Sequence, residues 1–411
     1  MLKSRWPLAP IEELCERVTS GGTPSRSNPV YYEGGTIPWI KTGELRGWYV
    51  DDIAERITPA AVRESSAKVF PPGTVLLAMY GDGKTMGSVG MIRAPAATNQ
   101  ACCAMLVDPQ KCDPKFLMYS LVYFKPAILK LAISGAQRNL NGKSIKQFAI
   151  GAPPVEVQQR IASILSAYDD LIENNTRRIA ILEEMARRIY EEWFVRFRFP
   201  GHEGVRMVES ELGLVPEGWA PMTLGELVEF QKGKKPAAVF TEWAPGRAPA
   251  LLIDALRRGS VEFADSDRLV SVARSDTIMV MDGSGSAQVF IGHEGVIGST
   301  LGRYRVITGA PVGAFWIYLF FLTHQLDIGG KNIGAAIPHA NKDYIRSMPV
   351  SAPADQTAAQ FEDLVKPMFD LIQNLKAKNA KLRASRDLLL PKLISGELDV
   401  SALPEPEALA A

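Results

Sequence analysis

The chain has 411 residues, 46% of them hydrophobic, and a formal net charge of +1. The hydrophobic content excludes a disordered chain, and the length is sufficient for two to four domains. The balanced charge neither requires nor excludes a nucleic-acid partner. The N-terminus has no apolar run typical of a signal peptide, and residues 313–322, the longest apolar run, are too few to cross a membrane. We therefore expect a cytoplasmic protein with no membrane partner. Its four cysteines form no CxxC pair, and we expect them to be reduced.

Residues 1–150 alternate short apolar runs with turn residues, which predicts a mixed α+β domain. Strands are predicted at residues 74–80 and 89–92, and a helix at residues 116–133. Two polar stretches, residues 80–85 and 135–143, are predicted to be loops.

Residues 154–199 carry apolar side chains at intervals of three and four, which predicts one long helix. Pro154 suits a first helical turn, and Pro200-Gly201 is a stop signal. About 40 helical residues would span roughly 60 Å, so the apolar seam needs a partner helix.

The second half of the chain repeats the first. Residues 217–350 match the first domain loosely, with Trp219 matching Trp6 at a shift of 213 residues. Residues 361–390 match the first long helix at a shift of 200, and Pro367 predicts that this second helix kinks or begins there. The frame recurs while the loops differ, which indicates one scaffold carrying two different reading surfaces.

Catalytic motifs are absent from the sequence. Gly83-Lys84-Thr85 lacks the upstream glycine of a phosphate loop, and Gly81-x-Gly83 lacks the third glycine of a dinucleotide fingerprint. The four histidines show no metal-ligand spacing, and Asn28-Pro29-Val30-Tyr31 departs from the Asn-Pro-Pro-Tyr of amino-methyltransferases. We therefore predict a chain without a catalytic site or a metal site.

Several stretches resemble one known family, the specificity subunits of type I restriction-modification systems. Residues 36–45, 79–87 and 137–141 are similar to its first target-recognition domain, and residues 153–161 with 192–195 to its central helix. Residues 215–219 resemble the entry to its second recognition domain, and residues 390–398 its C-terminal ending.

The resemblance implies a non-enzymatic reader of double-stranded DNA, in which each recognition domain binds one half of a bipartite asymmetric site and the paired helices set the spacer. It implies assembly with two modification (methyltransferase) subunits and with motor-nuclease restriction subunits. The methyl donor, Mg and ATP would belong to those partners, and this chain would hold no cofactor.

The predicted fold class is α+β, with two similar mixed α/β recognition domains separated by two long helices that pack as an antiparallel coiled coil with internal pseudo-two-fold symmetry. The predicted segments are a first recognition domain (1–152), a central helix (153–200), a linker (201–217), a second recognition domain (218–352), a distal helix (353–398) and a tail (399–411).

The candidate DNA-binding residues are polar or basic side chains in predicted loops, since Arg, Asn, Gln and Lys reach base edges while Lys, Ser and Thr hold phosphates. In the first domain they are Lys41, Thr42, Arg46, Tyr80, Lys84, Thr85, Arg138, Asn139, Asn141 and Lys143. In the second they are Lys232, Lys234, Lys235, Arg257, Arg258, Ser284, Ser286, Lys331, Asn332, His339, Asn341 and Lys342.

Two other hypotheses stay open on the sequence alone. A coiled-coil scaffold with no nucleic-acid role is consistent with the near-neutral charge, but it does not require two turn-rich domains with different loops. A single-chain nuclease or methyltransferase would need a catalytic motif that the sequence does not contain.

Overall fold

The computed structural model describes residues 5–81, 85–132, 139–334 and 338–400. The chain divides into two compact units. The first unit contains the residues up to Glu173 together with those from Lys381 onwards, and the second contains Asn174–Ala380. No helix among the described residues is both long enough and apolar enough to span a bilayer.

The first unit is a mixed sheet-and-helix fold, as predicted. Its strands are β1 (Leu8–Pro10), β2 (Cys15–Ser20), β3 (Ile37–Ile40), β4 (Tyr49–Val50), β5 (Arg56–Ile57), β6 (Val69–Phe70), β7 (Val75–Ala78), β8 (Val89–Ile92), β9 (Ala96–Thr98), β10 (Cys102–Val107) and β11 (Ala149–Gly151). Its helices are α1 (Pro59–Glu64), α2 (Pro114–Leu129), α3 (Gly142–Lys146) and the first part of α4 (Val155–Tyr190).

Three sheets build the first unit, in the strand orders β2-β10-β7-β8-β4, β5-β3-β9-β6 and β1-β11. Strands β7 and β8 are fully buried because helix α2 covers one face and a second apolar cluster, which includes Ile40 and Phe70, covers the other. Burial on both faces explains their continuous apolar sequences. The carbonyl oxygen of Asp113 and its carboxylate both accept from backbone amides in the first turn of α2, which fixes the start of that helix.

The second unit repeats this topology. Its strands are β12 (Met207–Ser210), β13 (Gly213–Pro216), β14 (Ala220–Thr223), β15 (Val228–Lys232), β16 (Arg247–Leu251), β17 (Phe263–Asp265), β18 (Val270–Val272), β19 (Thr277–Val280), β20 (Val289–Phe290), β21 (Gly295–Ile297), β22 (Leu301–Val306) and β23 (Pro349–Ala352). Its helices are α5 (Leu224–Leu227), α6 (Ile253–Arg258), α7 (Ala314–Thr323), α8 (Gln325–Gly330), α9 (Lys342–Ser347), the second part of α4 and most of α10 (Asp355–Ser395).

The strand orders β15-β22-β19-β20, β17-β16-β21-β18 and β14-β23 reproduce those of the first unit, apart from its short edge strand β4. One parallel pair also recurs, since β3 runs parallel to β9 and β16 runs parallel to β21. The prediction of an α+β fold with two similar domains is therefore confirmed. Within the predicted linker, β12 and β13 form a two-stranded hairpin.

The two long helices run antiparallel within each unit. In the first unit Asp169 of α4 pairs with Arg386 of α10. In the second unit Asn175 pairs with Asn379, and Glu183 lies 3.0 Å from Lys376. Partner numbers fall along α10 as they rise along α4, which is the antiparallel sense.

Helix α10 begins at Asp355 and continues through Pro367, so the prediction that it begins at this proline is wrong. Pro367 has no N–H to donate to the carbonyl one turn earlier, at Asp363, but both residues are exposed. Water can therefore satisfy that carbonyl, which limits the cost of the proline.

Candidate nucleic-acid interface

A three-residue polar cluster lies where strand β19 of the second unit ends. Lys232 Nζ lies 2.9 Å from the Asp282 carboxylate, and His339 Nδ1 lies 2.8 Å from its other oxygen. Burial raises the pKa of Asp282, but the hydrogen bonds from His339 and Lys232 outweigh it and hold this pKa below its ordinary value. Asp282 thus remains a carboxylate that positions two donors, and the His339 and Lys232 side chains are 46% and 39% exposed.

Backbone pairing brings these residues together although they are far apart in sequence. The Met281 carbonyl accepts from the Ala340 amide, and the Gly283 amide donates to the Pro338 carbonyl, at 2.8 Å each. Gly283 has a φ of +96°, so glycine suits this tight turn. The loop after β19 is therefore joined to the segment that precedes α9.

Residues 282–288 lie in the loop between β19 and β20, and other predicted residues contact this loop. Ser286 Oγ lies 3.1 Å from Asn332 Oδ1, and Arg257 Nε donates to Gln288 at 2.9 Å. Among the predicted residues, the structure thus gathers Lys232, Arg257, Ser286, Asn332 and His339 around this loop.

Five other predicted residues of the second unit are exposed, and one of them lies beside an aromatic ring. Ser284 is on the loop itself and is exposed, as are Lys234, Lys235 and Lys331. Lys342 places its ammonium 5.2 Å from the Phe230 ring. The side chain of Arg258 lies outside the described part of the structure.

In the first unit, Tyr80, Asn141 and Lys143 line one cleft of about 600 Å³ together with Ser20, Gln100 and Lys146. The Leu140 amide donates to the Met79 carbonyl at 3.0 Å, which is the counterpart of the Ala340–Met281 bond in the second unit. Thr85 and Asn139 are half-buried near the two ends of this junction. Lys84 and Arg138 lie outside the described residues.

Lys41, Thr42 and Arg46 follow strand β3, which belongs to a different sheet of the first unit. Lys41 and Arg26 both pair with Glu55, at 2.7 and 2.8 Å, and they lower the pKa of its carboxyl, Lys41 most strongly. The Arg26 guanidinium lies 4.7 and 4.9 Å from the ring centres of Tyr32 and Trp39, which anchor it. The sequence alone does not show this arrangement, because only the fold brings those rings and that carboxylate around Arg26.

Two predicted DNA contacts have a structural role in the fold. The Asn141 side-chain oxygen accepts from the Ser144 amide at 2.8 Å, and that of Asn341 accepts from the Tyr344 amide at 3.1 Å. Both asparagines are N-caps, of α3 and α9, so one acceptor position of each side-chain oxygen is already occupied.

The described ranges contain no group of three His, Cys, Asp or Glu side chains arranged to hold a metal ion. Cys15, Cys102, Cys103 and Cys112 are all buried free thiols. Burial raises the pKa of Cys15 and Cys103 to about 12, so neither thiol is activated as a nucleophile.

Comparison with known proteins points to one family. The family model described as "Type I restriction modification DNA specificity domain" matches residues 3–184 and 216–384. The MjaIX type I restriction enzyme specificity subunit of Methanocaldococcus jannaschii is 28% identical over 418 residues, covering 97% of this chain and 94% of that protein. The Escherichia coli EcoR124I/EcoR124II specificity subunit is 29% identical over 190 residues, covering 45% of this chain and 46% of its own length. The crystal structure of a type I restriction-modification S subunit from M. genitalium has a similar fold, with a TM-score of 0.63, 16% identity and coverage of 95% and 96% of the two chains.

Proposed function

The chain belongs to the type I restriction-modification DNA specificity family, and from this premise we propose that each of its two recognition domains reads one half of a bipartite, asymmetric DNA site. It is the specificity subunit of such a system, and this family is non-catalytic. Binding DNA and the other subunits of the system follows from that role.

One observation carries the two-reader proposal: equivalent positions of the two units hold different polar chemistry. Lys232 pairs with Gly302 on β22, and Ser20 pairs with Cys103 on β10, so these two positions correspond. The Met79 carbonyl accepts from the Leu140 amide, and the Met281 carbonyl accepts from the Ala340 amide. Tyr80 and Asp282, which follow these methionines, are therefore equivalent, as are Asn139 and His339, which precede the two donors. The set Ser20, Tyr80 and Asn139 in one unit therefore becomes Lys232, Asp282 and His339 in the other.

These differences suit different bases. Lysine and histidine donate, and in the second unit the Asp282 carboxylate orients both of them, which favours acceptors such as guanine O6 and N7 or a phosphate. Asn139 in the first unit offers the donor–acceptor pair that matches adenine. A common scaffold with different donors is what recognition of two unrelated half-sites requires.

The helices support a spacer role. Helices α4 and α10 contain 36 and 41 residues. At 1.5 Å per residue they are about 54 and 62 Å long, against about 34–36 Å for one turn of DNA. We infer that the pair sets the number of base pairs between the half-sites.

Exposed apolar residues on these helices support docking of partner subunits. Ile181 and Met185 of α4 are 59% and 45% exposed, one turn apart on the same face. We infer that two modification subunits bind the helices, that motor-nuclease subunits join for cleavage, and that the methyl donor, Mg and ATP bind to these partners.

A set exchange within the full chain tests the two-reader proposal. Lys232→Ser, Asp282→Tyr and His339→Asn together give the second unit the side chains of the first. Methylome sequencing of a host that carries the variant with its modification subunits should show one half-site changed or degenerate and the other intact. The control is Lys366→Ser with Asp370→Asn, an exposed ion pair on α10, which should leave both half-sites unchanged. An unchanged motif in the exchanged variant would contradict the proposal.

A further inference from the structure

A pair of buried amides interrupts the apolar seam between α4 and α10 in the second unit. The Asn175 amide nitrogen donates to the Asn379 side-chain oxygen at 2.8 Å. The two residues are only 4% and 3% exposed, and the Asn379 nitrogen lies 3.3 Å from Thr176 Oγ1. Such a pair is expensive to bury unless each amide finds a polar partner.

On one side of this pair, towards Ile189 and Val365, the seam is apolar and has a seven-residue period. On α4, Asn175 is followed at alternating intervals of four and three by positions 179, 182, 186 and 189, which are Ile, Leu, Ala and Ile. On α10, Asn379 is preceded at the same intervals by positions 375, 372, 368 and 365, which are Leu, Ile, Met and Val. All eight belong to or pack against the apolar core of the second unit. This spacing is that of a coiled-coil seam.

The internal duplication makes the position of the amide pair informative. The shift of 200 residues that relates the helices maps Asn175 onto Leu375 and Asn379 onto Ile179. The antiparallel register that places 175 opposite 379 also places 179 opposite 375. Two layers that the repeat makes equivalent therefore differ, because one holds two amides and the other two aliphatic side chains.

A duplicated seam has competing pairings that the amides disfavour. If α4 paired with the α4 of a second chain, the same register would place Asn175 against Ile179 twice, and α10 with α10 would place Asn379 against Leu375 twice. A slip of one heptad within the chain would place Asn175 against Ile372 in one direction, or Asn379 against Leu182 in the other. Each such mismatch buries an amide without a partner, which disfavours the arrangement about tenfold per amide.

We propose that the Asn175–Asn379 pair is a specificity determinant of assembly, which selects pairing of α4 with α10 in one register over slipped pairing and over like-with-like association with a second copy of the chain. Its role is positioning and not stability, since two leucines would fill the layer with apolar contact. This proposal is independent of DNA recognition, because it is tested on the protein alone.

A cross-link reports the register. Glu183 and Lys376 lie 3.0 Å apart and are about half exposed. The reporter chain carries Glu183→Cys and Lys376→Cys, which places a cysteine on each helix at this contact. The four native thiols are buried with raised pKa values, so a short bis-maleimide at neutral pH labels the new cysteines. The reporter chain should cross-link internally and elute as a monomer in light-scattering chromatography.

Asn175→Leu with Asn379→Leu should lower the fraction that cross-links internally and add concentration-dependent dimers, while the melting temperature is unchanged or higher. Adding Ile179→Asn and Leu375→Asn moves the amide pair to the equivalent layer, and it should restore the cross-link and the monomer. A leucine variant that cross-links as completely as the reporter chain and stays monomeric at all concentrations would overturn the proposal, as would failure of the relocated pair to restore both. Each single leucine variant should melt lower, because one amide stays buried alone.

Discussion

Arg386 gives the sharpest stability prediction, because it compensates a buried carboxylate in the first unit. The Asp169 side chain is 5% exposed, accepts from the Tyr119 hydroxyl at 2.6 Å and pairs with Arg386. Burial raises the pKa of Asp169 above its ordinary value, while Tyr119 and Arg386 act against that rise. Arg386→Met would remove the charge that opposes burial and leave the carboxylate.

Breaking a buried ion pair costs about 3–5 kcal/mol, and we expect the lower end because 24% of the Arg386 side chain is exposed. About 3 kcal/mol corresponds to roughly a hundredfold faster hydrogen exchange in α2 and in the last turns of α10 if they exchange through unfolding of the unit. The expected loss depends on pH. Since the folded-state pKa of Asp169 is raised, its protonated form favours folding at low pH, and that contribution is lost as pH rises through the folded pKa. The Arg386→Met variant raises this pKa further, so its deficit should shrink on acidification from pH 7.5 to about 5.5.

The measurement is hydrogen exchange and urea unfolding of the full chain at both pH values. Lys392→Met, which removes a 3.8 Å exposed ion pair on the same helix, should cost less than about 0.5 kcal/mol. Asp169→Asn added to Arg386→Met should recover more than half of the loss, because no buried charge remains. A loss below about 1 kcal/mol for Arg386→Met, or an equal loss at both pH values, would refute the reasoning.

Three further outcomes are expected. Asn141→Ala should lower stability by about 1 kcal/mol through the lost helix cap and leave the methylated motif unchanged, as checked by thermal melting and methylome sequencing; a changed motif would instead assign it a base contact. Lys234→Ala with Lys235→Ala should reduce the salt slope of DNA binding by about 2 in fluorescence anisotropy of the assembled complex, whereas an unchanged slope would place both ammonium groups away from phosphates. Ile181→Glu with Met185→Glu should abolish capture of the modification subunit while the circular dichroism spectrum stays that of the parent; retained capture would remove this face from the docking surface.

The fold could be predicted from the sequence where the spacing of apolar residues repeats over many turns of one element. The apolar seam of α4 recurs over many turns, and its repeat in α10 makes each helix evidence for the other. The short strands were harder, since β4, β5 and β6 have two residues each and depend on their neighbours for stability. Pro367 lies inside α10 and does not begin it, because the cost of a helical proline depends on exposure, which the sequence does not reveal.

The candidate interface was predicted by residue type, and its geometry could not be. The sequence predicts Lys232 and His339 as DNA contacts but not Asp282, which orients both, because only pairing of segments 50 and 57 residues apart brings it to them. The sequence predicts Asn141 and Asn341 as DNA contacts, but an asparagine that caps a helix looks the same in a sequence as one that faces solvent. Residue types therefore predict where polar loops lie, and the tertiary fold decides which groups remain available.

The division of the chain into units has a consequence for its synthesis. Residues 174–380 form one unit from a continuous segment, whereas the other unit needs residues from both sides of it. During translation the continuous unit can close first, although the amino-terminal domain leaves the ribosome earlier. Until Leu393 and Ile394 emerge, Ile161 and Leu165 lack the side chains that complete their core. The nascent amino-terminal domain therefore exposes the apolar strip at Ile161 and Leu165 until synthesis is nearly complete. We expect chaperone protection to matter most for this part of the molecule.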